Sequence, residues 1–451
     1  MDPIFIGLLG LAALLLLIVI RMPIAYAMIL VGGIGVAILN GPPLVLNQLK
    51  SLVFGQFSIY SLSIVPMFVL MGSLATRSGM SRALFRAANA WLGWMRGGTA
   101  MAVIAACAGF GAVCGSSLAT ASTMGRVALP EFRRNRYSGA LSTGSVAAGG
   151  VLGILIPPSV VLTIYAILVE ANIVTMFLAA MVPGLLAVIF FLLTVVAYVG
   201  IRPDAGPKGT RPDLREFMLA SLGALPVLLI FAVVLGGIYA GLYNPTPAAA
   251  IGVFLVWAAG TVSRKLGFRD LIESIKETAA TTGMIYLILL GAELMKIFMA
   301  RVRLPQVAAE AVIASGITPL MVIVLLLIVL IVLGCLMDSL SMILLVVPFF
   351  WPILVDINGG LYQGAEGSGF GMSTEDLKIW FGILALIVVE LGLITPPVGL
   401  NVFVISAMAK DVPMIETFKG VMPFFVAELI RVAVLVAFPA IILFLPAIHS
   451  G

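Results

Sequence analysis

Long apolar runs, separated by short segments that carry the charged residues, fill almost the whole chain. Many of these runs reach the roughly 20 residues that a helix needs to cross the hydrocarbon core of a bilayer. The pattern predicts an all-α polytopic membrane protein. Single spans are predicted at residues 4–20, 23–39, 60–76, 138–170, 174–200, 217–237, 246–263, 279–299, 379–408 and 421–446.

Two apolar stretches, residues 98–130 and 318–354, are too long for one crossing, and each has a small polar cluster near its centre. Each is predicted either as two spans or as a re-entrant hairpin. Arginines flank both ends of the first stretch, so both ends are predicted on the cytoplasmic side, where basic residues concentrate. The acidic loop after the second stretch, residues 355–378, is predicted outside. Counting crossings from these points places both termini in the periplasm.

Composition supports the membrane class and excludes several kinds of chemistry. Hydrophobic residues make up 62% of the chain and charged residues 10%, whereas a soluble domain carries roughly 25% charged residues. The net charge of +5 is interpreted as basic cytoplasmic loops and not as a nucleic-acid-binding surface. The single histidine, His449, lies near the C-terminus, which excludes HExxH zinc sites and histidine-based triads. The three cysteines lie in apolar segments without metal-ligand spacing.

Two parts of the chain repeat one order of elements from opposite faces of the membrane. Residues 60–200 are interpreted as a span, an arginine-bearing interfacial segment, a two-legged stretch, a broken helix and a span, and residues 279–446 repeat that order. Inverted-topology repeats mark many secondary transporters. Scaffold helices are predicted before the first repeat, over residues 1–59, and between the repeats, over residues 201–278.

Each repeat interrupts one apolar run with a pair of prolines. The first run contains GILIPPS and the second contains GLITPPV. A proline pair removes backbone donors, and backbone groups freed in lipid are costly unless protein or a water-filled cavity satisfies them. The Pro157–Pro158 and Pro396–Pro397 pairs are therefore interpreted as unwound segments beside a cavity, where carbonyls suit sodium and helix N-termini suit anions. A packing kink is the alternative for either pair taken alone.

The centres of the two long stretches add hard oxygen donors. The first contains GSSLAT, residues 115–120, and the second contains MDSLS, residues 337–341. Hydroxyl, carbonyl and carboxylate oxygens fit a hard cation and fit zinc or copper poorly. The alternative is helix–helix packing through small residues, which is common in membranes.

Two carboxylates and one amide are singled out within these segments. A carboxylate deep in a membrane is costly, so Asp338 is predicted to bind sodium, to carry a proton or to cap the following helix. Glu390 is predicted to support the second unwound segment by accepting backbone hydrogen bonds. Asn401 is predicted to face either the site or a neighbouring helix.

Six segments together resemble one known family, the large membrane subunit of tripartite ATP-independent periplasmic (TRAP) transporters. The resemblance extends over almost the whole chain, with a departure at Pro247, where the family usually has an acidic residue. The segments are FGQFSIYSLSIVPMFVLMGSL (54–74), GSSLATASTMG (115–125), GILIPPSVVLTIYAIL (153–168), GGIYAGLYNPTPAAA (236–250), GCLMDSLSMILLVVPFFWPI (334–353) and ELGLITPPVGLNVFVI (390–405).

The resemblance implies sodium-coupled import of an organic acid across the bacterial inner membrane by an elevator mechanism. The hairpins and broken helices are expected to form a mobile transport domain, and the other helices are expected to form a scaffold. The expected partners are a separate small four-helix membrane subunit and a soluble periplasmic solute-binding protein that delivers the substrate. The identity of the acid is left open.

The resemblance also implies a set of site residues. One sodium site is expected at Ser116, Ser117, Thr120, Gly149, Gly150 and Gly153, and a second at Asp338, Ser339, Thr395, Pro396 and Gly399. The substrate cavity is expected at Pro157, Pro158, Ser341 and Asn401, with Glu390 as a supporting carboxylate.

Three other functions are compatible with a polytopic chain of this kind. The first is a transporter of the same fold that works alone, with sodium or protons and without a binding protein. The second is an intramembrane enzyme, for which an aspartyl dyad of Asp338 and Glu390 is the available catalytic pair. The third is a channel, which the absence of a symmetric filter sequence disfavours.

Overall fold

The computed structural model describes residues 2–450 and consists of helices joined by short turns. Within that range no strand forms, and Arg96 and Lys208 make an isolated antiparallel bridge. The predicted all-α class is confirmed. The helices are α1 (Pro3–Val19), α2 (Ile24–Asn40), α3 (Pro42–Phe57), α4 (Ile64–Arg77), α5 (Met80–Leu92), α6 (Gly98–Cys114), α7 (Ser117–Arg134), α8 (Gly139–Leu155), α9 (Val160–Leu168), α10 (Ile173–Ile201), α11 (Leu214–Tyr239), α12 (Pro245–Val262), α13 (Phe268–Val302), α14 (Leu304–Ala314), α15 (Pro319–Gly334), α16 (Ser339–Asn358), α17 (Thr374–Gly392), α18 (Leu400–Met408), α19 (Met414–Ala437) and α20 (Ala440–Ser450).

Seven helices of the described part are long and apolar enough to cross a membrane, and the bent pair α8–α9 makes up to eight. Helix α13 begins at Phe268, well before the predicted start at residue 279. The prediction counted only the apolar run, whereas the helix also includes the charged segment that precedes it. The predicted single span 421–446 is wrong. It is divided into α19 and α20 at Phe438–Pro439, since Pro439 has no N–H for a continuous helix.

Both predicted broken helices are interrupted at their proline pairs. Helices α8 and α9 are bent by 44° across residues 156–159, and Ser159 caps α9 by accepting a hydrogen bond from Leu162 N at 3.2 Å. Residues 393–399 separate α17 from α18. The first proline pair is buried, whereas Pro396 and Pro397 are exposed, so the two breaks lie in different surroundings.

The two long stretches each form a pair of helices, and the polar clusters lie where one helix ends and the next begins. Gly115 leaves α6 with a φ of 62°, a left-handed conformation that favours glycine. Ser116 then caps α7 by accepting a hydrogen bond from Ala119 N. Asp338 caps α16, with Oδ2 3.1 Å from Ser341 N. Capping was one of the three roles predicted for Asp338.

Glycines allow α8 and α19 to pack with their backbones in close contact. A β-carbon added at Gly420 would lie 1.9 Å from the carbonyl oxygen of Ala140, and one added at Gly144 would lie 2.4 Å from the carbonyl carbon of Gly420. Next to this crossing, the buried Arg431 of α19 pairs with Glu428 and donates to the carbonyl oxygen of Pro183 in α10 at 2.9 Å. These contacts fix α19 against α8 and α10.

Gly420→Ala is expected to lower the free energy of unfolding by ~1–3 kcal/mol, because the added methyl group overpacks the α8–α19 crossing. Gly223→Ala in α11 is the matched control, since a β-carbon there would meet no atom within 4 Å. Thermal unfolding of the two variants in detergent measures the difference. Equal midpoints would contradict the close packing.

Candidate functional site

The carboxylate of Glu390, fully buried in α17, lies between the first residues of two other helices. Its Oε2 accepts a hydrogen bond from the hydroxyl of Ser117, which begins α7, and its Oε1 accepts one from the hydroxyl of Ser339, which begins α16. The partners are side-chain hydroxyls and not the backbone N–H groups expected from the sequence. One carboxylate therefore joins the polar clusters of both long stretches.

At the first break, Gly153 of α8 packs directly against the start of α7. A β-carbon at Gly153 would lie 2.5 Å from Thr120 Oγ1 and 2.9 Å from the carbonyl oxygen of Ser116. Thr120 is fully buried, and its hydroxyl has no hydrogen-bond partner among residues 2–450. The absence of a side chain at Gly153 leaves oxygen atoms of α7 facing α8.

Asn401 of α18 reaches the same face of α8 from the second break. Its Nδ2 donates to the carbonyl oxygen of Ala147 at 3.3 Å, and a β-carbon at Gly150 would lie 3.1 Å from this Nδ2. The Asn401 side chain is fully buried, and its Oδ1 also lacks a partner in the described part of the chain. Gly150 and Gly153 are three residues apart, so they lie on one face of α8. Gly149 instead faces Cys107 of α6.

The residues predicted for the first sodium site do not all lie together. Thr120, Gly150 and Gly153 lie together with the Ser116 carbonyl, and Asn401 joins them from the second repeat. A buried polar atom without a partner costs roughly 1–3 kcal/mol. Hydroxyl and amide oxygens are ligands that hard cations prefer. The arrangement is therefore suited chemically to holding a small hard cation between α7, α8 and α18.

The residues predicted for the second sodium site lie in two parts that no hydrogen bond connects within residues 2–450. Asp338 and Ser339 are committed to the Ser341 N–H and to Glu390, and the Thr395 hydroxyl donates to the carbonyl oxygen of Leu391 at 2.6 Å. Gly399 has a φ of 57°, and its β-carbon position lies 3.2 Å from the Thr395 carbonyl oxygen. Within residues 2–450, no hydrogen bond joins Asp338 to the break that contains Thr395, Pro396 and Gly399.

A cavity of ≈ 910 Å³ opens beside the meeting point of α7 and α16, with α4 and α13 forming its opposite wall. Four of the predicted site residues line it, together with polar residues that the sequence analysis did not single out, among them Arg126 of α7. Arg126 is the one charged residue between positions 98 and 130, and this isolation in an apolar stretch is the signal that could have identified it. The four are Ser116, Ser117, Asp338 and Ser339, whereas Pro157, Pro158, Ser341 and Asn401 do not line this cavity.

Charged residues from α4 and α13 lie at the far end of the cavity. Arg77 contacts Glu273 at 2.9 Å and Glu277 at 3.4 Å, and the Ser73 hydroxyl donates to Glu277 at 2.8 Å. The sequence analysis treated the basic residues as topology anchors and did not predict this cluster. The cavity therefore extends from the starts of α7 and α16 to the membrane side that the charge pattern predicts to be cytoplasmic.

Glu390→Ala is expected to lower the free energy of unfolding by about 3 kcal/mol, because two buried serine hydroxyls lose their acceptor. Glu375→Ala, at the exposed start of the same helix, is the control. Its side chain is 69% exposed and pairs with Lys378, so its loss is expected to cost ~0–1 kcal/mol. Unfolding by heat in detergent compares the two, and a smaller loss for Glu390→Ala would contradict the contact.

Comparisons with known proteins agree over most of the chain. The family model described as "Tripartite ATP-independent periplasmic transporter, DctM component" matches residues 11–441. The chain is 34% identical to the C4-dicarboxylate TRAP transporter large permease protein DctM of Pseudomonas aeruginosa, with 86% of each chain covered. It is 30% identical to the sialic acid TRAP transporter large permease protein SiaM of Vibrio cholerae, over 95% of this chain and 96% of that protein.

A solved structure shares the fold at lower sequence similarity. The Alcanivorax borkumensis YdaH transporter matches with a TM-score of 0.58 and 13% identity, over 87% of this chain and 88% of that chain. At this identity the similarity concerns the fold alone.

Proposed function

The chain belongs to the DctM component family of TRAP transporters, and we propose that it imports an organic acid across the bacterial inner membrane, driven by a sodium gradient. It is a transport permease and not an enzyme. Its relatives are named as transporters of C4-dicarboxylates, of sialic acid and of isethionate. All three are small organic anions, which supports an organic acid as the substrate of this chain.

The proposal includes two partners. A periplasmic solute-binding protein delivers the acid, and a small membrane subunit of four helices packs against the permease within the bilayer. Membership of a tripartite family supports both partners. Helix α11 exposes large apolar side chains, including Leu222 at 59% and Leu229 at 54%, which suits contact with lipid or with another membrane subunit.

The observation that carries sodium coupling is the pair of buried oxygens without partners beside α8. Thr120 Oγ1 and Asn401 Oδ1 belong to different predicted repeats, yet the Thr120 hydroxyl lies against Gly153 and the Asn401 side-chain amide lies against Gly150. In the proposed transporter, these oxygens and the Ser116 carbonyl hold one sodium ion. Binding would satisfy both buried oxygens and join the two repeats, so loading the ion would complete the site.

A second sodium site is proposed at the second break. Gly399 adopts a left-handed conformation, and its β-carbon position lies within 3.4 Å of the carbonyl oxygens of Leu393 and Thr395. Asp338 and Ser339, at the start of α16, line the cavity together with Leu393 of the break. The proposed transport cycle brings these groups to the carbonyl oxygens of the break. Carbonyl and carboxylate oxygens together suit a hard cation.

We propose an elevator mechanism with two re-entrant hairpins, α6–α7 and α15–α16. The Glu390 contacts with Ser117 and Ser339 support movement of both hairpins and both broken helices as one unit. Helices α4 and α13, across the cavity, belong to the scaffold. Because the cavity extends to the predicted cytoplasmic side, the described conformation corresponds to the inward-facing state of this cycle.

Uptake of radiolabelled acid into proteoliposomes tests the proposed function. The vesicles contain this chain and its small membrane subunit, with the binding protein added outside under an imposed sodium gradient. Uptake is expected to need both the gradient and the binding protein, because the ion supplies the driving force and the binding protein delivers the acid. Succinate, N-acetylneuraminate and isethionate are the acids to try first, since relatives are named for such substrates.

Two controls make this experiment decisive. A potassium gradient of equal size must not support uptake, and its success would contradict sodium coupling. Uptake of the same rate without the binding protein would replace the tripartite mechanism with the stand-alone transporter.

A further inference from the structure

One cation in the cavity lacks an anionic partner. Two basic side chains line the ≈ 910 Å³ cavity, Arg77 and Arg126. Arg77 is paired with Glu273 and Glu277. Arg126 donates one hydrogen bond, from Nη2 to Thr123 Oγ1 at 3.2 Å, and forms no ion pair with any residue in the range 2–450.

The other acidic groups of the cavity do not supply this partner. Glu277 accepts from Arg77 and from the Ser73 hydroxyl, and Asp338 caps α16. A guanidinium group presents several N–H donors in a planar fork that matches a carboxylate in two parallel hydrogen bonds. Apart from the bond to Thr123, no side chain among residues 2–450 accepts a hydrogen bond from Arg126, so the other N–H donors of this cavity-lining residue are available to a ligand.

The position of Arg126 separates this cation from the proposed sodium sites. It lies nine residues after Ser117 on α7, which corresponds to about 14 Å along a helix that rises 1.5 Å per residue. Ser122 lies one turn before Arg126, on the same face, and also lines the cavity. A bound anion at Arg126 would thus lie inside the cavity, away from the start of α7.

We propose that Arg126 binds the carboxylate of the transported organic acid inside this cavity. The inference rests on the proposed function and adds the residue that recognises the substrate anion. The carboxylate receives charge-assisted hydrogen bonds from the guanidinium group, and the remainder of the acid occupies the space toward Ser116 and Asp338. The Arg126 side chain is exposed, so an acid inside the cavity can reach the guanidinium group.

The simpler role for Arg126 is that of a cytoplasmic topology anchor, which needs only a positive charge. Lysine supplies the same charge without the planar fork, so Arg126→Lys separates the two roles. Arg134→Gln is the matched control on the same helix. The Arg134 side chain is 76% exposed and pairs with Glu131, outside the cavity lining.

The test measures binding of the acid in the cavity directly. In a chain with Cys107, Cys114 and Cys335 replaced by alanine, Ser122→Cys places one thiol in the cavity wall, and its alkylation by a maleimide is followed over time. Succinate, N-acetylneuraminate and isethionate are titrated in turn, and the concentration of each acid that halves the alkylation rate is recorded. The assay uses the complex with the small membrane subunit, in the presence of sodium.

Adding Arg126→Gln is expected to raise the half-protecting concentration at least ten-fold. Arg126→Lys is expected to give an intermediate value, and Arg134→Gln is expected to leave it unchanged. The inference would be overturned by an unchanged half-protecting concentration in Arg126→Gln or in Arg126→Lys. It would also be overturned if no transported acid protects the thiol when Arg126 is present.

The same experiment distinguishes this inference from the proposed function. If succinate, N-acetylneuraminate or isethionate protects the thiol through Arg126 but the wild type shows no sodium-driven uptake, the coupled import fails and the anion site stands. If uptake is intact and Arg126→Gln binds normally, only the anion site fails. Circular dichroism and the thermal midpoint of Arg126→Gln verify that any loss of binding does not reflect misfolding.

Discussion

The buried carboxylate of Glu390 is the contact on which the arrangement of the two predicted repeats depends. It accepts hydrogen bonds from Ser117 and Ser339, the first residues of two helices that are far apart in sequence. A polar group in the membrane interior must find its partners within the protein. The Glu390 carboxylate accepts from both serine hydroxyls, so all three buried side chains have hydrogen-bond partners when the two polar clusters lie together. The cavity opens beside that junction, and the proposed transport unit depends on it.

The same constraint explains why the region beside α8 stands out. Most buried polar groups near the junction are satisfied, whereas Thr120 Oγ1 and Asn401 Oδ1 are not. Gly150 and Gly153 allow α7 and the Asn401 side chain to approach α8 closely, so the Thr120 hydroxyl and the Asn401 amide lie against its backbone. The proposed sodium ion would supply a partner for both of these oxygens. The proposal of sodium coupling therefore rests on two buried oxygens that lack hydrogen-bond partners within residues 2–450.

The sequence predicted the features that arise from local backbone chemistry. A proline pair in the middle of an apolar run interrupts the helix, so the breaks near Pro157 and Pro396 were foreseen, and the polar clusters marked the helix starts at Ser117 and Ser339. Features that depend on contacts between distant segments were not foreseen. The partners of Glu390 turned out to be hydroxyls from other helices, and the role of Arg126 depends on α4 and α13 forming the opposite cavity wall. Charge alone indicated topology for the arginines that flank this stretch, and Arg126 within it was not singled out.

Sodium-dependent thermal stability of the purified chain tests the central claim most directly, because it needs neither substrate nor partners. Sodium chloride is expected to raise the unfolding midpoint above that in potassium chloride at equal ionic strength, since a ligand that binds the folded state stabilises it. In Gly153→Ala the added methyl group would lie 2.5 Å from Thr120 Oγ1, and the sodium-specific rise is expected to disappear. Gly283→Ala, with no atom within 4 Å of its added carbon, is expected to keep it. An equal sodium-specific rise in Gly153→Ala, or none in the wild type, would contradict the account.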